Sequence, residues 1–202
     1  LRRSVVEALE AGVDHVSAYA LIVEDGTPLA RRVRRGELPA PDDDVAAARY
    51  AIVDELLTQA GLDWYEVSNW ARPGGECRHN LAYWHGTDWW GVGPGAHSHV
   101  DGERWWNVRH PRTYAQALAA GESPEEGREV LTEGQRRVET VMLGLRLAEG
   151  VPVTVLSPGA SARVGENVAR GLLDRTALAD GRLALTPAGR LLADAVIRDL
   201  VD

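Results

Sequence analysis

Two apolar, β-branched runs, VDHVSAYALIV at 13–23 and LDWYEVSNW at 62–70, are separated by a long helical pattern, VAAARYAIVDELLTQAG at 45–61. A strand, a helix and a second strand in that order cannot close as a tight hairpin. They predict a crossover unit of a parallel sheet, and hence an α/β fold. The segment before the first run is also helical: Val5, Val6, Ala8 and Leu9 share a face, and Gly12 supplies a stop. Turn chemistry at Glu24-Asp25-Gly26-Thr27-Pro28, a basic helical turn, LARRVRRGE, and a proline-rich link fill the space before the long helix. Asp42, Asp43 and Asp44 sit where the helix dipole favours negative charge, and Gly61 where a left-handed residue ends a helix.

From Asn69 to about Arg109 the periodicity fades while glycine and aromatic residues rise. All seven Trp lie between Trp64 and Trp106, and five of the six His between His79 and His110. Within this stretch HSHV-Asp101-Gly102-ERWW predicts a hairpin turning at Asp-Gly. After Pro111 the patterns are mostly helical: TEGQRRVETVMLGLRLAEG and ASARVGENVARGLLDRT are amphipathic, and Asp180-Gly181 predicts a small hairpin. Thr186 caps a last helix with Pro187 at its first position. Helix, helix, hairpin, helix is a winged-helix-like order. Two domains are expected, residues 1–110 and 111–202.

Composition narrows the function classes. The chain has 202 residues, 45% hydrophobic and 26% charged, enough for one or two cored units. A formal net charge of −8 is a poor general match for nucleic acid or anionic lipid. The run Arg31, Arg32, Arg34 and Arg35 reads as a solvated helix face, with phosphate or carboxylate binding as the alternative. No apolar run approaches the roughly 20 residues of a membrane-spanning helix. The single cysteine, Cys77, cannot form an internal disulfide, which fits a reducing cytoplasm. Leu1, rather than Met, starts the chain inside a helical pattern, so the sequence reads as a piece of a longer protein.

Two segments carry candidate chemistry. In Cys77-Arg78-His79-Asn80-Leu81-Ala82-Tyr83-Trp84, His79 is a candidate metal ligand or proton carrier. Tyr83 and Trp84 offer flat apolar faces with polar edges, and Asn80 both donates and accepts. The competing reading is an aromatic loop packed around a hydrogen-bonded histidine. In Gly91-Val92-Gly93-Pro94-Gly95-Ala96-His97-Ser98, three glycines in five residues predict a close backbone approach. A dinucleotide fingerprint needs a strand before it and a helix after it, and a hairpin follows here. A loop closing over a nucleoside-like cofactor and a tight structural turn both fit. Structural zinc on Cys77 with His79, His85, His97 and His99 is the weaker alternative, because Cys-x-His is not a usual ligand spacing and there is no second cysteine. His97 and His99, two apart on a strand, would make only two metal ligands.

In order and spacing, GVDHVSAYALIVEDGTPLARRVRRGELP, DWYEVSNWARPGGECRHNLAYW and GVGPGAHSHV resemble the HemW-type haem chaperones. These are relatives of the HemN-type oxygen-independent coproporphyrinogen III oxidases. The likeness covers essentially the whole chain, and its most specific element is HNxxYW, here His79-Asn80-Leu81-Ala82-Tyr83-Trp84. The resemblance implies the C-terminal part of a radical-SAM partial TIM-like barrel, with VDHVSAYALIV as its last core strand. A mostly helical, winged-helix-like domain would follow.

The implied function is haem binding and delivery of haem to acceptor proteins. His79, Asn80, Tyr83 and Trp84 would contact haem, and His79 would be a candidate iron ligand. Coproporphyrinogen III oxidation is the alternative. The resemblance also implies a [4Fe-4S] cluster and S-adenosylmethionine in the full-length protein. Ala20, His97, Gly93 and Gly95 fall where the cofactor would be contacted. Respiratory membrane proteins are candidate acceptors, a homodimer is a candidate assembly, and nucleic acid is not an expected partner. The expected location is the cytoplasm, with peripheral membrane contact as an option. The pattern departs from the family in one respect: the cluster motif Cys-x-x-x-Cys-x-x-Cys does not occur among these residues, and one cysteine cannot hold a cluster that takes about four ligands. These residues alone are therefore not expected to cleave S-adenosylmethionine.

Overall fold

A computed structural model describes residues 1–201, which divide by their contacts into two compact units, Leu1–Glu76 and a second from Cys77 onward. The first contains α1 (Arg2–Glu10), β1 (His15–Ser17), α2 (Pro28–Arg34), α3 (Asp43–Gln59), β2 (Asp63–Glu66) and β3 (Asn69–Ala71). The caps follow the sequence signals. Asp42 Oδ1 accepts the Val45 amide at 2.9 Å at the start of α3, and Gly61 takes φ 79° just past its end.

The crossover is present, but its sheet is not the expected parallel ladder. LDWYEVSNW is two short strands turning at Val67-Ser68, and β3 inserts between β1 and β2, antiparallel to both. The strands flanking the crossover therefore run in the same direction without touching. No Gly, Pro, Asn or Asp occupies that turn, so the usual signal was missing. Only His15–Ser17 of the first apolar run is a strand, and Tyr19, Leu21 and Ile22 beyond it are exposed. The expectation of one continuous buried strand is corrected: an exposed backbone there has no ladder partner in this sheet.

The core of this unit lies between α1, α3 and the sheet. Leu57, Leu62 and Trp70 are completely buried, and burial of each is worth about 1.5–3 kcal/mol. Trp70 also carries a polar edge, and its indole N–H donates to Asp54 Oδ1 of α3 at 2.7 Å. Asn69 ties the strands together, accepting from Ser17 Oγ and donating to the buried Glu66 carboxylate.

The second unit opens with α4 (Arg78–Trp84), β4 (His97–Val100), β5 (Glu103–Asn107), α5 (Pro111–Ala119) and β6 (Glu125–Val130). Then follow α6 (Glu133–Gly144), β7 (Val151–Pro152), α7 (Ser161–Ala169), α8 (Arg175–Ala179), β8 (Arg182–Leu183), α9 (Pro187–Leu191) and α10 (Ala193–Val201). The Asp101-Gly102 hairpin is present, with φ of 51° and 79° at its two turn residues, the left-handed pair such a turn demands. β6 pairs with β5 as a third strand, where helix was expected. Its polar sequence EEGREV gives no apolar alternation, because it is an exposed edge. Residue 110, the expected boundary, lies inside this unit, and the β5–β6 ladder spans it.

The helical half packs around Val141, Leu145, Leu183, Val196 and Leu200, each at most 1% exposed. Thr132 opens α6 with a capping box to Gln135. The small hairpin expected at Asp180-Gly181 is instead a helix, α8, turning into β8, which pairs with β7. Asp174 caps that helix through the Ala177 amide at 2.8 Å. No helix among the described residues is long and apolar enough to cross a membrane.

Candidate functional site

The HNxxYW segment is not a loop but α4, with Cys77 at its N-cap position. Helical spacing sorts its side chains into two pairs: His79 with Tyr83, and Asn80 with Trp84. His79 is exposed, and its ring meets Tyr83 edge-on at 5.0 Å. Tyr83 meets Trp89 at 5.1 Å, and Trp89 meets His99 at 4.7 Å. The exposed and the buried histidine thus stand at opposite ends of a continuous run of ring contacts.

Trp84 faces elsewhere. With His99, Leu131, Arg136, Leu143 and Leu147 it lines a cavity of about 830 Å³ in the second unit. That lies within the roughly 300–1,000 Å³ typical of ligand sites. Two ring nitrogens in its lining, Trp84 Nε1 and His99 Nδ1, are buried without a hydrogen-bond partner. Buried polar atoms are ordinarily paired, at a cost of about 1–3 kcal/mol when they are not. Both nitrogens are closed off from water, so the two rings border the cavity through their other atoms.

Charge around the cavity is mostly paired. Arg104 is held in its charged form by its hydrogen bond to Glu139, with a second contact to Glu129 at 3.4 Å. Arg182 donates to the carbonyls of Glu149 and Gly150 at 2.7 and 2.9 Å. His85 lies 3.6 Å from Glu149. Arg136 has no side-chain partner among the described residues.

The glycine loop at 91–98 is anchored by its own neighbours. A Cβ on Gly91 would lie 2.1 Å from the His97 carbonyl oxygen, so only glycine fits. The Gly93 amide donates to Tyr114 Oη at 3.1 Å and the Gly95 amide to the Val108 carbonyl at 3.0 Å. Neither glycine therefore retains an amide N–H for a cofactor. His97 is exposed and stacks on Trp106 at 5.7 Å. It does not join His99 in the cavity lining. In the first unit, Ala20 is exposed and lines a separate pocket of about 770 Å³ with Tyr19, Leu21, Arg49 and Tyr50.

Sequence reasoning placed Trp84 in the site. His99 was weighed only as an alternative metal ligand, and Arg136 and the leucines were missed. Their spread from 84 to 182 leaves no local signal.

No protein-family model matches the chain. Among curated proteins, the haem chaperone HemW of Mycobacterium tuberculosis is 58% identical over 201 residues, covering 100% of this chain and 51% of the relative. The chain belongs to the HemW family. HemW of a Synechocystis species is 40% identical over 151 residues, covering 73% of this chain and 36% of that protein. The chain spans about half the length of the M. tuberculosis HemW it matches. Among solved structures, the radical SAM enzyme coproporphyrinogen III oxidase HemN of Escherichia coli superposes with a TM-score of 0.67. That match covers 98% of this chain and 51% of HemN at 19% identity, and it shows a shared fold. The α/β fold class expected from the sequence is therefore that of the matching half of a radical SAM protein.

Membership of this family raises the question of a cluster. Among the described residues no group of three or more His, Cys, Asp or Glu is placed to hold a metal ion. Cys77 is exposed and is the chain's single cysteine. These residues do not fit a [4Fe-4S] cluster, which takes about four ligands.

Proposed function

We propose that this HemW chain forms the haem-holding part of a chaperone that binds haem and passes it to acceptor proteins. The observation that carries this reading is the placement of the HNxxYW helix against the cavity. α4 directs Trp84 into a space large enough for a flat macrocycle and keeps His79 and Tyr83 at the surface. Haem is a broad apolar disc with two carboxylates and an iron that accepts imidazole. Trp84 and the leucines supply apolar wall, and Arg136 supplies a free cation for a carboxylate. His79, with Asn80 beside it on the helix, presents an accessible imidazole, suited to a cargo that must leave again.

In the full-length protein the reading includes a [4Fe-4S] cluster held by other residues and S-adenosylmethionine contacting Ala20 and His97. Respiratory haem proteins are the acceptors it favours. The test uses full-length protein loaded with haem and mixed with an apo haem protein such as apomyoglobin. Transfer of the haem spectrum to the acceptor is the expected result. Anaerobic turnover of coproporphyrinogen III with S-adenosylmethionine and a reductant, without haem transfer, would overturn it in favour of the oxidase.

A further inference from the structure

We propose that the exposed face and open edge of the β4–β5–β6 sheet dock a basic, strand-forming segment of the acceptor protein. This rests on the delivery reading above for the partner's role, and on the surface for its chemistry. Cross-strand register puts Val100, Glu103 and Val130 in one row and Ser98, Trp105 and Arg128 in the next, all on one face. Trp90 adds to that face. Its ring meets Trp105 edge-on at 4.8 Å, and the Arg128 guanidinium lies 5.9 Å from the centre of the Trp105 ring. Trp90 is nevertheless 70% exposed and Val130 63% exposed. The opposite face is already used, since Arg104 on it pairs with Glu139 of α6. Single exposed apolar residues need no explanation, but a Trp fixed on a second Trp beside valine and arginine has the composition of an interface centre. The Gly91 amide donates to Ser98 Oγ at 2.9 Å and pins the chain next to Trp90. An anchor held in place before its partner arrives lowers the ordering cost of binding.

β6 stands at the end of the sheet order with β5 as its neighbour, so its other side is an edge. The Leu131 amide donates inward to the Gly102 carbonyl at 3.0 Å. By the alternation of an antiparallel ladder, the main-chain groups of Val130 and Arg128 then point outward. An extended segment can add there as a further strand, its backbone giving affinity and its alternate side chains meeting the Trp90–Trp105 face. Charge selects the segment. β5 and β6 carry the carboxylates Glu103, Glu125, Glu126 and Glu129 against the guanidinium groups of Arg104 and Arg128. Arg128 is shared between Glu103 and Glu125, and Arg104 between Glu129 and Glu139. Glu126 is exposed and has no ion-pair partner among the described residues. The excess is negative, as it is for the whole chain at −8. A charged edge discourages pairing with a second copy of itself. A strand whose Lys or Arg side chains fall opposite these carboxylates turns the same charges into an attraction. The partner defined by this surface is therefore an extended segment alternating basic and apolar residues.

The probe is a capped, fluorescein-labelled peptide of about ten residues alternating Lys and Val, titrated with full-length protein and read by anisotropy. A peptide alternating Glu and Val is the control. Saturable binding of the Lys peptide that weakens as salt rises is expected, with no binding of the control. Trp90→Ala should weaken it about tenfold or more, and Glu126→Lys about two- to fivefold. Both side chains are exposed, so both variants should keep the wild-type melting temperature and haem titration. The proposal is overturned if wild-type protein binds neither peptide, binds both alike, or binds no better than Trp90→Ala. A dimer in sedimentation that Trp90→Ala dissolves would give the face to a second copy, and binding of phosphatidylcholine vesicles in place of the peptide would give it to a membrane. Either result overturns the proposal. So does a melting temperature lowered in Trp90→Ala with no peptide bound by wild type, which would show the face covered within the full-length protein. Haem titration is read separately: if wild-type protein binds the Lys peptide but no haem, the docking surface stands and only the delivery reading falls.

Discussion

Trp84 and His99, fifteen positions apart, line one cavity, and each contributes a ring nitrogen buried without a partner. The pairing depends on two local structures meeting. α4 carries Trp84 at its last turn, and the Asp101-Gly102 hairpin holds His99 in β4. Burying two such groups without a protein partner costs stability. A guest that binds the folded cavity should raise the melting temperature by mass action. Haem-loaded full-length protein is expected to melt above the apo form, and the difference should shrink in Trp84→Ala, which removes part of the apolar wall. Differential scanning fluorimetry would check this.

The contact between Trp70 and Asp54 anchors α3 to β3 at 2.7 Å. Trp70 is completely buried, so removing the acceptor strands its indole N–H. Asp54→Ala should cost about 1–3 kcal/mol, whereas Asp54→Asn, which keeps an oxygen, should cost less. Urea unfolding would check the order; equal losses would show that the hydrogen bond is not the cause.

Two glycines should respond in opposite ways. Gly91→Ala places a methyl against the His97 carbonyl and should destabilise the protein by about 1–3 kcal/mol. Gly165, in the middle of α7, has no atom within 4 Å of an added Cβ and no left-handed φ. Gly165→Ala should stabilise by about 0.5–1 kcal/mol. Thermal melts of the two variants should move in opposite directions.

Arg128 bridges the edge of the second sheet, donating to Glu125 at 3.0 and 2.9 Å and to Glu103 at 2.8 Å. The hydrogen bonds from Arg128, and then its charge, hold the Glu125 carboxyl below its ordinary range. A depressed folded pKa stabilises above the unfolded value and loses that contribution as pH falls through the folded one. The pair is exposed, so its effect on stability is small. Carboxyl NMR should show Glu125 titrating low in the wild type and moving up in Arg128→Gln. An unmoved titration would rule out the pairing in solution.

Much of this architecture was legible where one residue type meets one backbone demand. Asp101-Gly102, Thr132 with Gln135, and Asp42 each announce a turn or cap through local chemistry. The strand–helix–strand order gave the fold class. What was not legible is non-local. β3 inserts between β1 and β2 through a turn at Val67-Ser68 that carries no Gly, Pro, Asn or Asp, and β6 is an edge whose polarity masks its period. The HNxxYW segment looked like a loop because seven helical residues are too few for a periodic stripe. The cavity draws residues from 84 to 182, and the unpartnered state of Trp84 and His99 exists only after those segments meet.

The central claim is that this chain's second unit holds haem, and equilibrium titration of full-length wild-type protein with ferric haem tests it most directly. The account predicts saturable binding with one haem per chain at the cavity and a Soret band displaced from that of free haem, with the affinity lowered in Trp84→Ala. A Soret band that stays that of free haem at every protein concentration would contradict it.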